Sequence, residues 1–69
     1  MIALTVNGKP REIAEPLTLQ AFLEKHGVDP RLVAVEHNGE IVRRDRYGAV
    51  VLQAGDRLEI VHMVGGGAT

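Results

Sequence analysis

Three consecutive glycines, Gly65, Gly66 and Gly67, followed by Ala68 and Thr69, are the residues of this chain best suited to chemistry. Beyond Val64 no side chain is larger than threonine, so the segment cannot pack against a core, but it can thread into another protein. Glycine has no Cβ and takes up extended or left-handed backbone conformations freely, which lets an enzyme close tightly around a chain next to its terminal carboxylate. A carboxylate is a poor acyl donor until its oxygen becomes a better leaving group. Adenylation by ATP supplies one, after which a sulfur, oxygen or nitrogen nucleophile can attack in a covalent relay. A triglycine by itself also fits a frayed terminus, so its meaning depends on what precedes it.

The remaining candidates are weaker. His26, His37 and His62 fall at an expected helix end and on two expected strands, with no i, i+4 pair and no cysteine to complete a metal site, so no metal is expected. His26 suits the helix C-terminus through the dipole, and His37 and His62 suit the sheet surface. Glu36, Glu40, Asp45, Asp56 and Glu59 can be paired on paper as acids and bases, yet the alternation gives no reason to bury them and solvated charges are expected. Arg43, Arg44 and Arg46 form the only basic cluster, and with Phe22 needed in the core only Tyr47 is left to stack on a base. Nucleic acid is therefore not an expected partner. A chain without cysteine builds no disulfide and carries neither persulfide nor thioester on its own side chains.

A chain of 69 residues makes one small domain, and a deep substrate cavity would remove packing that such a core needs. Chemistry at the surface or on the tail is favoured, with the chain a substrate for other enzymes rather than an enzyme. The division expected is a folded domain over 1–64 and a glycine-rich tail over 65–69. The net charge of -1 gives no general attraction to nucleic acid or an anionic membrane. The longest uninterrupted apolar runs are only a few residues, such as Gly48 to Leu52, and the start of the chain lacks the pattern of a signal peptide, so the expected compartment is the cytoplasm.

The elements that must position the tail can be read from periodicity and turn residues. Ile2, Leu4 and Val6 alternate with Ala3 and Thr5 up to Asn7-Gly8, which predicts a hairpin returning through Arg11 to Ala14. Leu19, Phe22 and Leu23 share one helical face, predicting a helix over 18–26. Thr18 can cap it, Leu17 and Phe22 take the positions of a hydrophobic staple, and Gly27 with Val28 and Leu23 fits a Schellman ending before Pro30. Leu32 to His37, then Asn38-Gly39, then Ile41-Val42 predict a second hairpin. Arg43 to Gly48 reads as a polar loop or single helical turn, and Gly55-Asp56 turns the chain into a last strand, Leu58 to Met63. If Leu58 and Ile60 face the helix, Val61 and Met63 lie on an uncovered face suited to docking.

Periodicity supports a small α+β domain with an antiparallel component. Its order of hairpin, helix, hairpin and strand resembles the β-grasp architecture of ubiquitin-like proteins, which implies a mixed sheet of four to five strands, one main helix on one face and a central last strand. Three segments together, Val6-Asn7-Gly8, the run from Val33 to Val42, and Gly55-Asp56-Arg57-Leu58-Glu59-Ile60-Val61 leading to Val64-Gly65-Gly66-Gly67, resemble the bacterial sulfur carrier family of thiamine thiazole synthesis. The resemblance implies that the carboxylate of Gly67 is adenylated by an E1-like enzyme that consumes ATP. It further implies conversion to a thiocarboxylate with sulfur from a cysteine desulfurase relay, and presentation to thiazole synthase. Gly65 and Gly66 would thread, while Val61, Met63 and Val64 would dock partners. No bound cofactor is implied. A molybdopterin-synthase small subunit, a ubiquitin-like modifier and a non-covalent binding module are the alternatives. The family usually ends at glycine, whereas this chain continues through Ala68 and Thr69; the expectation is that these two are removed before activation or are foreign to the native chain.

Overall fold

Each Asn-Gly pair closes a tight hairpin. Asn7 and Gly8 have φ of 51° and 80°, and Asn38 and Gly39 have φ of 53° and 88°, the left-handed pair that a type I′ turn requires. The first turn joins β1 (Ile2–Val6) to β2 (Lys9–Ile13), and the second joins β3 (Val33–His37) to β4 (Glu40–Val42). A fifth strand, β5 (Arg57–His62), completes the set. These elements belong to a computed structural model, which describes residues 1–63. Val64 and the expected domain boundary beside it, with the tail to Thr69, lie outside the described residues.

Between the hairpins lies the helix α1 (Leu19–Lys25), whose ends are those the residue types predict. Thr18 Oγ1 accepts from the Ala21 N–H at 3.1 Å. The next unpaired donors of the first turn go to a neighbouring loop, Leu19 N–H to the Val50 carbonyl at 2.8 Å and Gln20 N–H to that of Tyr47 at 3.1 Å. At the other end Val28 N–H donates to Leu23 O at 2.9 Å and Gly27 N–H to Glu24 O at 3.0 Å, the two bonds of a Schellman motif. Gly27 sits at φ 73° to make them. A helix of 7 residues is unstable alone. What holds it is the burial of Leu19, Phe22 and Leu23, each about 1.5–3 kcal/mol relative to exposure.

The strands form one sheet in the order β2-β1-β5-β3-β4. β1 and β5 run parallel, and the other neighbours are antiparallel. This is the mixed β-grasp sheet, with the last strand in its centre and Pro10 confined to an edge strand, where its missing N–H costs least. Leu4, Ile13, Val33, Val35 and Leu58 turn one face of the sheet to α1 and are buried there. Two stretches differ from expectation. Leu32 closes a 3₁₀ turn over Pro30–Leu32 instead of opening the strand, because Asp29 caps that turn by accepting from the Arg31 N–H. Tyr47, left free for stacking in a stretch read as a polar loop or single helical turn, is only 2% exposed and belongs to the core. Its stretch forms a 3₁₀ turn over Arg44–Arg46 that turns the phenol ring inward, where the hydroxyl donates to the Val33 carbonyl at 3.4 Å. Burial pushes that phenol's pKa up.

Candidate functional site

The strand that leads into the tail is gripped from both sides by the two turn asparagines. On the β1 side, Asn7 donates its backbone N–H to Leu58 O at 2.8 Å. Its side chain then accepts from the Ile60 N–H at 2.7 Å and donates to Ile60 O at 3.2 Å. A carboxamide thus takes the place of one more backbone residue and extends the β1–β5 ladder past the turn. On the β3 side, Asn38 N–H donates to Arg57 O at 2.8 Å, while its Oδ1 accepts from the Arg57 N–H at 2.8 Å. Sequence reading assigns these residues only a turn role. Nothing local signals the rest, since the partners of Asn7 are 53 residues away.

Asn38 also reaches Asp56 Oδ1 at 3.2 Å, and the other carboxylate oxygen accepts from His37 Nε2 at 2.8 Å and from the Gln53 N–H at 2.9 Å. Asp56 is therefore not the freely solvated charge expected from the alternation. Burial pushes its pKa up, but the bonds from His37, Gln53 and Asn38 outweigh that and leave the carboxyl below its usual range. The cluster anchors the turn that starts β5, at the end of the strand remote from the tail.

At the tail end, the last described residue, Met63, donates its backbone N–H to Leu32 O at 2.9 Å. No loop separates β5 from that bond, so the chain reaches residue 64 directly from the centre of the sheet. Val61 lies on the face without the helix, opposite Ala34 of β3, and Met63 shares its side by alternation. Exposures of 60% and 52% leave both available to a partner. Val64, Gly65, Gly66 and Gly67, the other expected site residues, lie outside the described residues.

The histidines are not drawn into one cluster. His26 caps α1, its Nδ1–H donating to Phe22 O at 3.0 Å, with its ring tilted by 38° against that of Phe22 at a centroid distance of 4.4 Å. His37 is bound to Asp56, and His62 ends β5. Among the described residues no three His, Asp or Glu side chains converge as a metal site would require. Arg43 and Asp45 form an exposed pair at 3.7 Å. With Tyr47 in the core, the arginine loop has no free aromatic beside it for base stacking.

Comparison with known proteins adds to this geometry. A family model described as the ThiS family matches residues 4–67. This chain belongs to that family. The chain is similar to the sulfur carrier protein ThiS of Bacillus subtilis, with 40% identity over 65 residues covering 93% of this chain and 98% of that protein. A crystal structure of a thiamine biosynthesis protein (ThiS) from Geobacter metallireducens superposes with a TM-score of 0.83 at 37% identity, covering 94% of this chain and 99% of the other. A thiazole synthase of Paramagnetospirillum magneticum is 46% identical over 65 residues. One of Magnetococcus marinus is 47% identical over 62. These matches take in 94% and 90% of this chain, which spans only about a fifth of either synthase (20% and 19%). The ThiS family match runs through the glycines and ends at Gly67, leaving Ala68 and Thr69 beyond it.

Proposed function

We propose that this ThiS-family chain is a sulfur carrier for thiazole formation in thiamine biosynthesis, with the carboxylate of Gly67 as the group that bears sulfur. The observation that carries the reading is a family match ending at Gly67, in a chain whose central strand is hydrogen-bonded up to Met63, four residues earlier. A carboxylate oxygen of Gly67 attacks the α-phosphorus of ATP on an E1-like enzyme, and pyrophosphate leaves. A persulfide sulfur from a cysteine desulfurase relay then attacks the acyl carbon and expels AMP. A thiol then attacks the relay cysteine's sulfur in the resulting acyl disulfide, forming an enzyme disulfide as the S–S bond to the acyl sulfur breaks and the thiocarboxylate leaves; a thiol reductant restores the enzyme. Thiazole synthase is the acceptor, a choice supported by the relatives of that name that carry a segment similar to this chain. Because the chain contributes only a terminal carboxylate, it is a co-substrate and not the catalyst. ATP is bound and consumed by the activating enzyme, and the cytoplasm is where both meet. Among the described residues no helix is long and apolar enough to cross a membrane.

On this reading Ala68 and Thr69 must be absent when the tail is activated, and Gly65 and Gly66 give the slender backbone that the active sites close around. Val61, Met63 and Val64 form the apolar part of the docking surface. The test is release of pyrophosphate from ATP by the activating enzyme encoded in the same genome, with chains ending at Gly67, at Thr69 and at Val64. Release with the Gly67 form alone is expected; equal release with the Val64 form would place the acceptor elsewhere.

A further inference from the structure

Both asparagines of this chain, Asn7 and Asn38, precede a glycine, and both lie exposed at a hairpin tip. Asparagine before glycine is the pair most open to deamidation, because no Cβ on the glycine shields its backbone nitrogen from the neighbouring carboxamide carbon. The reaction requires the asparagine to leave its turn conformation and swing its side chain toward the next residue. In a folded domain its rate therefore follows the local opening that frees that side chain. By sequence the two sites are alike; by hydrogen bonding they are not.

Asn7 is held by neutral bonds to a single residue, its Oδ1 accepting from the Ile60 N–H at 2.7 Å and its Nδ2 donating to Ile60 O at 3.2 Å. Its turn joins β1 to the edge strand β2, and residues 7–10 are all exposed, so the tip can open without disturbing the core. Asn38 is held by a network. Its Oδ1 accepts from the Arg57 N–H at 2.8 Å, and its Nδ2 donates at 3.2 Å to a carboxylate, Asp56 Oδ1. A bond to an ionised acceptor is roughly twice as strong as a neutral one. Asp56 is itself fixed by His37 Nε2 at 2.8 Å and by the Gln53 N–H at 2.9 Å, and its side chain is only 13% exposed. Freeing Asn38 therefore breaks bonds that support one another.

We propose that Asn7 is the residue that deamidates in the folded protein, while Asn38 is protected by its network. The Gly8 nitrogen attacks Asn7 Cγ; the N–Cγ bond forms as the Cγ–Nδ2 bond breaks, and ammonia leaves with the proton from the Gly8 N–H. Water then opens the cyclic imide. Cleavage of the bond to Cγ leaves aspartate at this position, and cleavage of the bond to the main-chain carbonyl leaves isoaspartate, with the main chain routed through Cγ. Either product replaces the carboxamide by a carboxylate, which accepts hydrogen bonds but donates none. The bond to Ile60 O is lost, and isoaspartate also adds a methylene to the main chain inside a two-residue turn. Modification thus loosens, on its β1 side, the strand that leads into the tail.

The test incubates the 69-residue chain at mildly alkaline pH and follows both sites by peptide mapping, which separates aspartate and isoaspartate products from asparagine. Chain unfolded in urea is the reference, and there the two sites should react at similar rates. In the folded protein Asn7 should slow about tenfold and Asn38 by about a further tenfold. Local opening exposes little surface, so below the unfolding transition the Asn7 rate should stay flat as urea is added. Asp56→Ala should speed Asn38 more than Asn7, and N7D, which stands for one product, should unfold at a lower midpoint than the wild type. Equal rates at the two sites in the folded protein, or faster loss of Asn38, would overturn the inference. So would an Asn7 rate that climbs with urea in step with global unfolding, or an Asn38 rate indifferent to Asp56→Ala.

Discussion

Replacing Asn7 by alanine tests how the strand that bears the tail is held. The substitution removes two side-chain bonds, from the Ile60 N–H at 2.7 Å and to Ile60 O at 3.2 Å, while the Asn7 N–H bond to Leu58 survives. Exposed neutral hydrogen bonds lie at the low end of the usual net range, so the pair is worth about 1–2 kcal/mol. Asn7 also sits at φ 51°, where alanine pays about a further 1–2 kcal/mol. N7A should therefore lose about 2–4 kcal/mol. N7G, which keeps the backbone at ease but removes the same bonds, should lose about 1–2 kcal/mol. For a domain of this size each kcal/mol lowers Tm by about 4–8 °C. Urea titration gives both free energies, and the m-value shows whether the native state remains compact. An N7G variant as stable as the wild type would refute the claim that the carboxamide holds β5.

Three further outcomes follow from the packing and the charges. Tyr47→Ala should cost about 3–5 kcal/mol because an aromatic ring leaves the core, whereas Tyr47→Phe, losing only a 3.4 Å hydroxyl contact, should cost under about 1 kcal/mol; thermal unfolding separates them. The depressed pKa of Asp56 contributes stability that is present above the unfolded value of about 3.9 and is lost as pH falls through the folded value. D56N should thus be less stable than the wild type at neutral pH, and the gap should close on acidification below about pH 4 in denaturant titrations; a gap constant with pH would remove Asp56 from the account. Val61→Asp and Met63→Asp, on exposed positions, should leave the unfolding midpoint within a few degrees of the wild type while weakening sulfur transfer, and undiminished transfer in both would argue against this docking surface.

Much of the fold is legible because its signals are local. Asn-Gly demands a left-handed pair of residues, Thr18 and Gly27 bound a helix with one apolar face, and Leu58 alternates with Val61 across a sheet covered on one side. The order of strands is a different matter: periodicity is blind to which edges meet, and the central place of β5 came from resemblance to a known architecture. Tyr47 is not legible as core because it follows four charged residues with no period to mark it, and its burial depends on a 3₁₀ turn that the start of α1 meets through Gln20 N–H and the Tyr47 carbonyl. The sequence marks Asn7, Asn38 and Asp56 only as turn or solvent residues, since Ile60, Arg57 and His37, which they bind, are distant in the chain and meet them only after the sheet has formed. The tail is the reverse case. Its three glycines and the lack of any side chain able to pack point to chemistry on the tail, and Gly67 as acceptor rests on sequence and the family match.

The most direct measurement is the intact mass of the protein after incubation with ATP, the activating enzyme and a sulfur source, for the 69-residue chain and for one ending at Gly67. The account predicts exchange of one oxygen for sulfur in the Gly67 form only. Sulfur on the full-length chain would move the acceptor to Thr69, and no change in either form, with an enzyme mixture active on another carrier, would contradict the sulfur carrier reading.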